Sequence, residues 1–189
     1  MIKALIFGGN GGIGLATYKL FWQKGHCPIP FCRESLDLGI CSYEQMKEIL
    51  DAIQPDVIVH AAATLKGPNL LGVNLLSAYH IIDYYVRNLT SKPVNITLIG
   101  SSSHDKPSPH YPLYAASKAA LNSMAASYAI LFRETKIYVN LLNPSKTNTK
   151  MRREAVGYEP PETLLTPEVV AKEIYQLSTL NFGGVIKNI

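Results

Sequence analysis

Short, continuously apolar runs alternate along this chain with helical apolar stripes. That order predicts an α/β fold, a doubly wound parallel sheet of about six strands. Ile2 to Phe7 form one run, and Val57-Ile58-Val59, Val94 to Ser101 and Ile137 to Leu142 form others. Runs that are apolar at every position suit strands covered on both faces. His26 to Cys32 reads as a second strand, and its Pro28 and Pro30 assign it to an edge. Gly184 to Ile189 reads as a short last strand. Between the runs, Ile13, Ala16, Thr17, Leu20 and Phe21 mark one helix, and Met46, Ile49, Leu50 and Ile53 another. A long helix covers roughly Asn69 to Asn88, and one opening near Pro112 continues to Arg133. The punctuation agrees. Gly25 ends the first helix, Ser42 and Gln45 form a capping box for the second, and Thr166-Pro167-Glu168 opens the last.

Composition narrows the function classes. A chain of 189 residues that is 47% hydrophobic and 17% charged fits one globular domain, residues 1–189. A net charge of +4 with dispersed basic residues does not support nucleic acid as a partner. No apolar run approaches the length of a membrane span, and the N-terminal run breaks at once into glycine, so neither a span nor a signal peptide is expected. The expectation is a cytoplasmic protein without a membrane partner. Cys27, Cys32 and Cys41 cannot all pair and match no zinc spacing, so no metal is expected.

Two stretches carry chemistry. The first is Gly8-Gly9-Asn10-Gly11-Gly12-Ile13-Gly14, set between the first strand and the first helix. Strand, glycine turn and helix together are what a dinucleotide fingerprint needs: glycines let the backbone approach a pyrophosphate, and the helix N-terminus offers free N–H groups. Both Gly8, Gly12, Gly14 and Gly8, Gly11, Gly14 give usable spacings. Arg33 follows the second strand and suits a ribose 2′-phosphate, which favours NADP(H) and leaves NAD(H) possible. The second stretch runs from Thr97 to Lys118. A buried strand ends in Ser101, Ser102 and Ser103, a Pro-rich loop follows, and the next helix carries Tyr114 and Lys118 one turn apart on one face. Tyr43 and Lys47 share that spacing and read as an exposed helix face.

Asn74, Ser101, Tyr114 and Lys118 in this order, behind the glycine turn, resemble the short-chain dehydrogenase/reductase family over nearly the whole chain. The resemblance implies a Rossmann fold and an NAD(P)-dependent oxidoreductase acting on a small-molecule carbonyl or secondary alcohol. It makes Tyr114 the acid/base, gives Ser101 the substrate oxygen with Ser102 as the alternative, and has Lys118 tune the tyrosine and hold the nicotinamide ribose. Asn74 would hold a water linking that lysine to solvent. Cofactor contacts would come from Gly8, Asn10, Gly11, Gly12, Ile13, Gly14, Arg33, Asp37, Leu38, Ala61, Ala62, Ala63, Tyr114, Lys118, Pro144, Ser145, Thr147 and Thr149. Asp37 also reads as a turn or helix-capping residue. His60 reads as a hydrogen-bonded structural histidine.

The chain departs from that family after the second strand. It passes from Arg33 straight to Leu36-Asp37-Leu38, which is too short for a crossover, so one helix and one strand are expected to be missing. Two other functions fit the residues. One is a non-catalytic NADP-binding sensor or regulatory protein, which the shortened cofactor half would suit. The other is a nucleotide-sugar epimerase or dehydratase, suggested by the alternative glycine spacing and His60-Ala61-Ala62-Ala63. The family commonly assembles through its two long helices, so a homodimer or homotetramer is expected, with Tyr79, Ile82, Tyr85, Leu121, Met124 and Tyr128 supplying apolar surface. Lys150 to Leu165 reads as a lid. Near it, Lys146, Lys150, Arg152 and Arg153 read either as solvated or cofactor-phosphate charge, or as an attraction for an anionic substrate.

Overall fold

The computed structural model describes residues 1–106 and 108–189; Pro107, in the predicted Pro-rich loop, lies outside the described residues. Its strands are β1 (Lys3–Phe7), β2 (Cys27–Phe31), β3 (Val57–His60), β4 (Val94–Ile99), β5 (Ile137–Asn143) and β6 (Ile186–Asn188). They form one six-stranded, all-parallel sheet in the order β2-β1-β3-β4-β5-β6. The helices are α1 (Gly12–Gln23), α2 (Tyr43–Ile53), α3 (Ser77–Arg87), α4 (Pro112–Leu131), α5 (Lys150–Val156) and α6 (Pro167–Ser178).

Alternation along the strands makes two cores. Ala4 and Ile6 of β1 point with Val57, Val59 and Leu142 into a layer closed by Phe21 of α1 and Val170, Ile174 and Leu177 of α6. Leu5 and Phe7 point the other way, with Ile58, Ile96, Leu98 and Leu141, against Met46 and Leu50 of α2, Ile81 and Ile82 of α3, and Leu121 and Ala125 of α4.

β2 is the edge strand, as its prolines require: it pairs with β1 alone, and Pro28 and Pro30 have no N–H to give. Residues 32–42 form no helix or strand, so the chain turns at Arg33–Leu36 and enters α2 through the Ser42–Gln45 capping box. The single crossover from β2 to β3 carries the chain across β1. β1 and β3 thus become neighbours whose following segments diverge, and their carboxyl ends frame the crevice where open α/β sheets bind ligands.

One expectation needs correction. Ile82, Tyr85 and Leu121, assigned above to a dimer surface, are buried within the chain because α3 and α4 turn those faces onto the sheet. Their exposed apolar residues are instead Val86 of α3 and Leu113, Ile130 and Leu131 of α4, with Leu76 just before α3.

Candidate functional site

The first cleft, about 890 Å³, opens over the carboxyl ends of β1, β3 and β4. Its floor depends on glycines. Gly8 has φ +79°, and a Cβ there would lie 2.8 Å from the Ala62 backbone. A Cβ on Gly14 would lie within 2.1 Å of the Gly8 carbonyl oxygen, and one on Gly12 would sit 2.8 Å from the Thr149 methyl. Gly11 meets only the Gly8 oxygen, at 3.2 Å. A Cβ on Gly9 would likewise lie 2.6 Å from Pro30, so Gly8, Gly9, Gly12 and Gly14 all exclude a side chain, and of the two spacings the crowding accords with Gly8, Gly12 and Gly14. α1 begins at Gly12 behind Gly11, and no side chain caps it. Its first-turn N–H groups remain available for an anion, and such a cradle fits a pyrophosphate.

Asn10, Ile13, Arg33, Asp37, Leu38, Ala61, Ala62, Ala63, Tyr114, Lys118 and Thr149 also border this cleft. The Arg33 side chain is 86% exposed and its carboxylate neighbour, Asp37, is 3.8 Å away. Glu34 is not on the wall; its carboxylate makes only a long contact, 3.5 Å, with Asn10. Asp37 also accepts the Gly39 N–H at 2.9 Å, so the turn-capping role is real alongside any role at the cleft. Pro144, Ser145 and Thr147 fall elsewhere: they border an adjoining cleft of about 520 Å³, which Thr149 shares.

Tyr114 stands on the wall of both clefts. It is half-buried, and burial raises its phenol above the usual range while the nearby Ser101 hydroxyl acts in the opposite direction. Ser101 is held twice: its N–H donates to Asn143 Oδ1 at 3.0 Å, and its Oγ accepts the Ser103 N–H at 3.1 Å. The Ser101 hydroxyl hydrogen is left to give. Lys118 is 1% exposed and donates to the Ile99 carbonyl at 2.8 Å. Its Nζ lies 5.7 Å from the Tyr114 ring centroid. Burial pushes its pKa down to about 8. An ammonium has three donors, and two remain beyond the Ile99 bond.

Asn74 lies outside both clefts. It sits in a π-helical turn, Gly72–Leu76, that continues into α3. Its amide accepts the Thr64 N–H at 2.8 Å and donates to the Thr64 carbonyl and to Ser117 Oγ. Among the described residues none of these bonds reaches Lys118. They fix the strand-to-helix segment that walls the first cleft. His60 is fully buried. Ser77 Oγ spends its hydrogen on the Val73 carbonyl, so it accepts from His60 Nε2 at 2.7 Å. Burial lowers the imidazole to about 3, which keeps it neutral, and its Nδ1 has no partner.

One residue that sequence reasoning missed is Asn143. Its Oδ1 accepts from Ser101 N and Asn122 Nδ2, and its Nδ2 donates to Asn122 Oδ1 and Asn188 Oδ1, each at 3.0 Å. One buried amide ties β4, α4, β5 and β6 together directly behind Ser101. The signal was a polar amide at the end of a buried strand, where it must find partners.

A family model for short chain dehydrogenases matches residues 59–159, more than half of the chain and all of the Ser101–Lys118 stretch. The chain belongs to the short-chain dehydrogenase/reductase family. A second model, the RmlD substrate binding domain, matches residues 2–66. The bifunctional ribulose 5-phosphate reductase/CDP-ribitol pyrophosphorylase of Haemophilus influenzae is 33% identical over 96% of this chain, which spans 42% of that protein's length. Carbonyl reductase family member 4 of Danio rerio is 30% identical, covering 78% of this chain and 76% of its own. A short chain dehydrogenase from Escherichia coli CFT073, crystallised with NADPH, superposes with a TM-score of 0.82, covering 99% of this chain and 95% of its own; at 21% identity this likeness is one of fold. The chain thus belongs to a family of nicotinamide-dependent oxidoreductases, and among the described residues no helix is long and apolar enough to cross a membrane.

Proposed function

We propose that this protein interconverts a small-molecule carbonyl and its secondary alcohol, with NADP(H) favoured over NAD(H). The observation that carries the reading is the meeting of Ser101, Tyr114 and Lys118 where a dinucleotide-sized cleft joins a second one. When bound, the nicotinamide supplies the hydride to the carbonyl carbon or takes it back from the alcohol. Tyr114 gives the proton to the carbonyl oxygen, and Ser101 donates a hydrogen bond to the same oxygen as negative charge develops. Lys118 would bind the ribose hydroxyls with its two spare donors. Its ammonium would favour the phenolate and so work against the burial that raises Tyr114. The Gly8–Gly14 turn would hold the pyrophosphate and Arg33 the 2′-phosphate. Asp37 and Leu38 would lie beside adenine, and Ala61, Ala62 and Ala63 leave room for the ribose. Thr149, with Pro144, Ser145 and Thr147 behind it, would border the nicotinamide end.

The chain would act as one domain, and as a homodimer or homotetramer through the outer faces of α3 and α4. Three unbonded cysteines suit a reducing compartment such as the cytoplasm. Because the Haemophilus relative is named for ribulose 5-phosphate, ketoses belong in the first substrate set. The test follows nicotinamide fluorescence on binding of NADPH, and then its oxidation with a panel of aldehydes, ketones and ketoses. Turnover of any carbonyl supports the proposal. Tight NADPH binding without any turnover would favour the regulatory reading instead.

A further inference from the structure

We propose that the second cleft takes a phosphorylated ketose, with Lys146 and Arg152, both braced by Glu159, forming a phosphate subsite. The inference deepens the reductase reading above and rests on it for the position of the carbonyl.

The cleft leads away from Tyr114 and Ser101, and its wall is mixed: Ser102, Ser103, Ser108, Tyr111 and Thr147 bring hydroxyls, while Ile13, Leu65, Met151, Ala155 and Val156 bring apolar surface. The row of hydroxyls offers donors and acceptors to a polyhydroxylated chain, whose carbon backbone can lie on the apolar part of the wall. The segment after β5 carries four cations, and the structure sorts them. Arg153 is held on Asn148 Oδ1 at 2.7 Å and borders neither cleft. Lys150 faces the first cleft and lies 3.7 Å from Glu154. Only Lys146 and Arg152 of the four border the second cleft.

Both are fixed by one carboxylate. Arg152 Nε and Nη2 donate to Glu159 at 2.6 and 2.8 Å, and Lys146 Nζ lies 3.3 Å from Glu159 Oε1. The cations beside Glu159 hold its carboxyl down at about 2, so the trio carries two positive charges and one negative. Glu159 spends two of the five guanidinium N–H bonds and one of the three ammonium ones. Three donors on Arg152 and two on Lys146 remain, and a phosphate monoester would accept from both. A brace that merely closed the lid would need one cation. Here a second cation shares the carboxylate and leaves the cleft net positive.

The test uses the full chain with NADPH and compares initial rates on D-ribulose 5-phosphate and D-ribulose. The wild-type protein should prefer the phosphorylated sugar, with inorganic phosphate competing against it. In Arg152→Gln the ratio of kcat/KM for the two sugars should fall about ten-fold or more, the worth of one hydrogen bond between charged groups. Lys146→Met should do the same; its side chain is 57% exposed, so folding is not at stake. Equal rates on both sugars, or equal losses on both in the variants, would overturn the subsite and leave the reductase reading intact. If no carbonyl is reduced at all, the reductase reading falls and the subsite is judged by binding alone. Calorimetric titration of D-ribulose 5-phosphate into the protein–NADP⁺ complex then decides: affinity weakened about ten-fold in Lys146→Met supports it, and unchanged affinity sinks it.

Discussion

Replacing Arg33 by Ala should separate the two nicotinamide cofactors. The side chain stands 86% exposed at the mouth of the first cleft, and its 3.8 Å approach to Asp37 is too long for a hydrogen bond. An exposed pair of this kind contributes about 0–1 kcal/mol, so the substitution should leave the fold almost untouched. What it removes is a guanidinium able to clamp a 2′-phosphate. A hydrogen bond to a charged group contributes about 1.5–3 kcal/mol. Water competes at so exposed a position, so the lower end applies: about 1.5 kcal/mol, or roughly ten-fold in Kd. Glu34, the acid that could have reversed the preference toward NADH, is off the cleft wall. Fluorescence titration of wild type and Arg33→Ala with NADPH and with NADH gives four dissociation constants. The reasoning predicts NADPH weakened about ten-fold and NADH nearly unchanged, with the effect shrinking as salt rises. Asp37→Ala is the control, since a contact with adenine would weaken both cofactors alike. Equal loss of both cofactors in Arg33→Ala would refute the 2′-phosphate role.

Lys118 makes stability depend on pH. Its ammonium is about 8 when buried against 10.5 for the free side chain, so between those values the unfolded chain binds more protons and stability rises with pH. Chemical denaturation should show the wild type gaining on Lys118→Met between pH 7 and pH 10, by at most about 3 kcal/mol; parallel curves would mean the lysine is not desolvated. Asn143→Ala should cost roughly 2–4 kcal/mol by leaving the Ser101 N–H, Asn122 and Asn188 unpaired. It should also lower kcat by displacing Ser101 while NADPH affinity stays near wild type, whereas Asn143→Ser should restore part of kcat. A loss of stability with kcat intact would make this amide purely structural.

Much of this fold was legible because its strands are buried on both faces and so appear as unbroken apolar runs. The two prolines of β2 even announced an edge, and the four residues from Arg33 to Leu36 were visibly too few for another crossover. The π-helical turn at Gly72–Leu76 was not legible, since one extra residue in a turn leaves the apolar stripe nearly unchanged. Burial of Ile82, Tyr85 and Leu121 was misjudged for a related reason: a helix stripe says which face is apolar, and only the packing angle says how much of it the sheet covers. In the site, residues with a distinctive chemistry at fixed spacing, such as Tyr114 and Lys118, were found. Asn143 was not, because its importance lies in partners from four distant elements. Glu159 escaped for the same reason: its hold on Lys146 and Arg152 depends on the lid's path.

The central claim is that Tyr114 moves the proton. Tyr114→Phe deletes one oxygen and keeps the ring against its neighbours, so NADPH should bind as in the wild type. With a carbonyl that the wild type reduces, single-turnover oxidation of bound NADPH by the variant should slow by about 10²–10⁴-fold at fixed pH. Turnover near the wild-type rate, with NADPH binding intact, would contradict the account.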